Sequence, residues 1–238
     1  MTSDRWITGD KLWQMHCPPP PSEWAEADYG GEMVWPGVWD EPEPGVAGEI
    51  EWKPGSTTIG DFTWPHGFAG ALHVVAKADA AKKLTANFSG ATLLDVRVAP
   101  PEDGRQRSNQ IPHPYDGPPL HVLWITQLAS ADEKMSTYSD ELTEYGFQQK
   151  VYHGVEEWDY DWNADWDAPT DPGFAMVHKE RKPSQGMFVP EQELAGNDFV
   201  RLRQWPGAHL CTDKVRDFVI AHSFTNIIFL EVGNVITC

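Results

Sequence analysis

The chain has 238 residues, enough for one large domain or two small ones and for a sizeable core. Asp and Glu number 36 against 18 Lys and Arg, a net charge of −18. A nonspecific binder of nucleic acid or anionic membrane needs the opposite field, so both partner classes are excluded as expectations. The 20 Gly and 20 Pro demand much turn and loop, and the 12 Trp supply apolar area to a moderately polar chain.

No stretch approaches the ~20 apolar residues of a membrane span. The first residues lack the basic and apolar regions of a secretory signal, and Cys17, Cys211 and Cys238 form neither a CxxC nor a disulfide framework. The expected location is the cytoplasm.

Residues 1–70 are punctuated and acidic. Pro18 to Pro21 reads as local polyproline II. Glu41-Pro-Glu-Pro-Gly45 suits neither helix interior nor central strand. Trp24, Trp35, Trp39, Trp52 and Trp64 are spaced through this region, where they are expected to pin long loops onto a core. Leu72 to Val75 reads as a short strand. Ala78 to Asn87 is Ala/Lys-rich and reads as a helix stopped by Ser89-Gly90. Ala91 to Val98 reads as a strand. Pro100 to Pro119 carries six prolines and two glycines and reads as a linker or long surface loop.

Leu120 to Thr126 is apolar and β-branched, the pattern of a buried strand. Asp132 to Tyr145 reads as a polar helix or a loop. Phe147 to Val155 reads as a strand, with shorter ones at Phe174 to His178 and Met187 to Pro190. Phe199 to Trp205 alternates as a strand does. Thr212 or Asp213 can cap a helix running to about His222, whose Val215, Phe218, Val219 and His222 share one face. Asn226 to Val232 is almost continuously apolar and reads as a central strand. The fold class predicted is α+β: a mostly antiparallel sheet with a few helices and long Pro/Gly/Trp-rich loops. Residues 1–118 are read as a Trp/Pro-rich subdomain and 119–238 as an α+β subdomain, or the two as one continuous domain.

The chain carries no P-loop, no GxGxxG after a strand, no HExxH, no GxSxG and no EF-hand loop. Nine histidines are scattered, none at the i+2 to i+4 spacing usual in zinc sites. No catalytic residue, metal or cofactor is therefore predicted. Cys211 precedes the predicted helix, where a dipole can lower a thiol pKa; a small buried residue at a strand–helix junction is the simpler reading.

One segment stands out. Residues 156–171 hold seven carboxylates and three tryptophans, with no Lys or Arg. Glu156, Glu157, Trp158, Asp159, Asp161, Trp162, Asp165, Trp166 and Asp167 are predicted to form a partner-binding surface, carboxylates steering a basic partner and aromatics anchoring it. A divalent-cation site, a glycoside-hydrolysing carboxylate pair and a solvated acidic loop are the competing readings.

The stretch from Phe199 through Trp205-Pro206-Gly207, Thr212-Asp213, Val215-Arg216 and Phe229 to Val232 resembles the C-terminal segment of bacterial immunity proteins from polymorphic toxin systems, the myxobacterial double-CxxCG paralogues among them. The resemblance spans residues 199–232, and the double CxxCG is missing here, so no zinc ribbon is carried over. It implies a non-enzymatic protein that binds a cognate toxin and occludes its active or target-binding surface. The charge fits a basic toxin as partner. An uncharacterised hydrolase, carbohydrate-active or metal-dependent, and a protein-binding adaptor domain are the alternatives.

Overall fold

A computed structural model of the chain describes residues 6–16, 25–30, 45–55, 57–66, 73–142, 148–152 and 186–237. These form an α+β fold dominated by sheet. Among the described residues, eight of the twelve strand pairings are antiparallel.

The elements in chain order begin with β1 (Trp6–His16), β2 (Ala27–Gly30), β3 (Val46–Trp52), β4 (Phe62–Thr63), β5 (Pro65–His66) and β6 (Val75–Lys77). Helix α1 (Ala78–Asn87) leads to β7 (Ala91–Val98), β8 (Leu120–Ile125), β9 (Leu128–Ala129), β10 (Tyr138–Leu142) and β11 (Gln148–Tyr152). Then follow β12 (Met187–Pro190), the single-turn α2 (Glu191–Leu194), β13 (Phe199–Leu202), β14 (Trp205–Thr212), α3 (Asp213–Ala221) and β15 (Ile228–Thr237). A six-stranded sheet has the order β12-β15-β1-β14-β13-β9 and a seven-stranded sheet the order β4-β6-β8-β7-β3-β2-β5; β10 and β11 make a separate hairpin. Both larger sheets draw strands from either side of residue 118: β1 lies between β14 and β15, and β8 between β6 and β7.

The local reasons are legible in the residues. In α1, Ala80, Ala81 and Leu84 turn one face inward, and Asp79 and Lys83 pair at 2.8 Å on the exposed side. The helix ends where Phe88 turns extended, and Gly90, two residues on, has φ +95°, with a Cβ there falling 2.3 Å from the Phe199 carbonyl oxygen. In α3, Val215 and Val219 face inward one turn apart. Strand β15 is apolar on both faces because it runs between β12 and β1 with a core cluster on either side.

Among the described residues, three core clusters organise the fold. The first lies where both sheets and both longer helices meet. It includes Trp13, Met15, Phe199, Cys211 and Phe229 of the six-stranded sheet, Phe62, Ala76, Leu123 and Ile125 of the seven-stranded one, Leu84 of α1 and Val219 of α3. The second lies on the opposite face of the six-stranded sheet, around Leu12, Val200, Leu210, Leu230 and Val232. The third lies on the outer face of the seven-stranded sheet, where Ile111 and Tyr115 of the 100–119 stretch cover Ile50, Trp52, Val75, Val122 and Trp124. That Pro-rich stretch is a loop, and it packs onto the sheet.

Several expectations shift. Trp52 and Trp64 are buried, but Trp52 lies within β3 and Trp64 between two short strands. The strand expected at Leu72 to Val75 starts only at Val75. Part of the segment expected as helix or loop, Tyr138–Leu142, is a strand paired in register with β11, since a hairpin partner ten residues on supplies its hydrogen bonds. The strand expected over Phe199 to Trp205 ends at Leu202: the chain turns at Arg203-Gln204, and Trp205–Thr212 is extended. A two-residue hairpin pairs Leu202 with Trp205. Pro206 is tolerated in β14 because the β1 ladder begins only at Leu210 and the β13 ladder is irregular beside it. The expected strand at Phe174 to His178, the Pro18–Pro21 run and Glu41 to Pro44 lie outside the described residues.

Candidate functional site

The nine residues of the predicted partner-binding surface, Glu156, Glu157, Trp158, Asp159, Asp161, Trp162, Asp165, Trp166 and Asp167, lie outside the described residues. Within the described residues, the feature that bears most on partner chemistry is an acidic sheet face, built from strands distant in sequence.

It forms on the seven-stranded sheet beyond β7. Side chains two apart on a strand share a face. Leu93 packs into the first core cluster, so Asp95 and Arg97 stand on that same face farther along β7. Register carries the face outward. Glu49 of β3 pairs with Arg97, and Asp28 of β2 stands directly opposite Glu51 of β3. Glu26 and Lys53 extend the two rows by one step each. Five carboxylates, Glu26, Asp28, Glu49, Glu51 and Asp95, thus share one face with two cations. Lys53 reaches Asp28 at 3.2 Å and Glu26 at 3.8 Å. Glu51 accepts a hydrogen bond from the Glu102 backbone N–H at 3.0 Å. At the inner margin, His121 Nδ1 lies 3.0 Å from Asp95 Oδ1.

The charges of this face add little to stability. Like charges directly opposite each other across strands repel, as Asp28 and Glu51 do. Half-exposed ion pairs such as Lys53 with Asp28 return about 0–1 kcal/mol. The side chain of Asp95 is 67 % exposed and that of Asp28 is 47 % exposed, so the carboxylates are presented to solvent. Such a face attracts Lys and Arg side chains and raises the encounter rate with a basic surface.

The remaining polar clusters tie elements together. Asp213 opens α3, where its carboxylate accepts the Lys11 backbone N–H at 2.8 Å and the Trp13 indole N–H at 2.7 Å. Arg216 lies 4.3 Å over the same indole ring, fastening α3 to β1. Thr212 sits at the helix N-cap, yet its hydroxyl bonds Asp198 at 3.3 Å, and no side-chain cap bond forms. Between the sheets, Asp61 and Thr225 exchange hydrogen bonds: Asp61 N–H to Thr225 Oγ1 at 2.8 Å, and Thr225 N–H and hydroxyl to Asp61 Oδ2 at 2.9 and 2.8 Å. Asn226 Nδ2 donates to the Phe62 carbonyl, and Trp64 Nε1 to the Asn226 carbonyl. A third cluster is buried: His73 Nδ1 lies 3.0 Å from the Tyr29 hydroxyl, its ring stacks on Trp124, and Arg201 packs over Trp124 at 5.0 Å.

Cys211 is fully buried at the end of β14. Burial first, then the Asp213 carboxylate, push its thiol well above the ordinary range; Arg216 pulls the other way, and Asp198 adds the smallest push. That environment disfavours the thiolate, so the buried-residue reading of Cys211 stands. Among the described residues, no three His, Cys, Asp or Glu side chains come together as a metal site, and no helix is long and apolar enough to cross a membrane.

The acidic face left a faint trace in the sequence. Glu26 and Asp28, and Glu49 and Glu51, are carboxylates at spacing two, which share a face once the segment is a strand. No family model matches the chain, and no curated protein matches it.

Proposed function

We propose that this protein is an immunity-type inhibitor, which binds a cognate bacterial toxin in the cytoplasm and occludes its active or target-binding surface. One observation carries the reading: the density and placement of negative charge. The chain bears −18 overall, with seven carboxylates between residues 156 and 171. Five more share one sheet face with two cations. Toxins that attack nucleic acids carry basic surfaces to hold phosphates, and an acidic protein competes for those surfaces. Steered encounter makes the capture fast. The resemblance of residues 199–232 to immunity proteins supports the same reading; in the fold this stretch is β13, β14, α3 and β15. The inhibitor contributes shape and charge and carries no catalytic step.

The test is co-expression with the product of the neighbouring gene in a cell that the product kills. Survival together with co-purification of the two chains is the expected result. Undiminished killing with no complex recovered would overturn the proposal.

A further inference from the structure

We draw no further inference here: the strongest candidate, the half-exposed aromatic patch of Phe88, Phe218, His222 and Phe224 between α1 and α3, is an apolar face with nothing in the structure to show what covers it.

Discussion

Replacing Asp61 with Ala removes the acceptor at the centre of the link between the two large sheets. Its Oδ2 takes two hydrogen bonds from Thr225, at 2.9 and 2.8 Å, while Lys77 stands 3.6 Å from Oδ1. A hydrogen bond to a charged acceptor contributes about 1.5–3 kcal/mol. The Asp61 side chain is 28 % exposed, which favours the low end, and the Lys77 pair adds less than about 1 kcal/mol. Asp61→Ala should therefore cost about 3 kcal/mol. Asp61→Asn keeps the shape and a neutral acceptor and should cost about half as much. Urea unfolding reads both: the midpoint should fall in that order with the slope unchanged, since the exposed surface on unfolding is the same. An Asp61→Ala unfolding free energy within about 0.5 kcal/mol of wild type would refute the reasoning and leave the apolar core and the Asn226 and Trp64 hydrogen bonds holding the sheets together.

Three further outcomes follow from burial. Phe218 is half-buried, edge-on to Phe88 at 5.2 Å, whereas Phe229 is fully buried. Phe229→Ala should cost about 3–5 kcal/mol and Phe218→Ala about 2 kcal/mol in the same unfolding assay, and equal losses would contradict the placement of α3. In a Cys17→Ser, Cys238→Ser background, Cys211 should resist thiol reagents at neutral pH until the protein unfolds; rapid labelling of the native state would contradict its burial. Tyr115 is pushed up to about 12 by burial and then by the Asp116 carboxylate. A phenol whose folded pKa is raised stabilises the fold below its ordinary value of 10.0 and loses that contribution as pH climbs through 12. The phenolate absorbance difference between wild type and Tyr115→Phe should therefore have its midpoint near 12, and a midpoint near 10 would contradict the assignment.

What was legible in the sequence was local. Ala78 to Asn87 is a helix because its composition and its stop are contiguous, and β7, β8 and the start of β15 announce themselves by alternation or by unbroken apolar runs. Strand β1 was not legible. Gly9, Asp10 and Lys11 interrupt its pattern, and its hydrogen-bond partners lie about two hundred residues away, on β14 and β15. The end of β15 was missed for a related reason: Gly233-Asn234 reads as a stop. Yet Gly233 is required there, since a Cβ would fall 1.9 Å from the Met187 carbonyl oxygen on the neighbouring strand.

Charge divides the same way. The run from Glu156 to Asp171 is visible because it is contiguous. The acidic sheet face is scattered over β2, β3 and β7, and only register sets Asp28 against Glu51. Local patterns reveal elements and linear motifs, while surfaces assembled by long-range pairing emerge only with the topology.

The most direct test of charge-guided capture is the association rate with the toxin across ionic strength, measured for three proteins. These are the wild type, a sheet-face variant (Glu26→Gln, Asp28→Asn, Glu51→Gln) and a segment variant (Asp159→Asn, Asp161→Asn, Asp165→Asn). The account predicts that wild-type association slows steeply as salt rises, and that neutralising either surface lowers the low-salt rate and flattens that dependence. Wild-type rates in both variants at every ionic strength would contradict it.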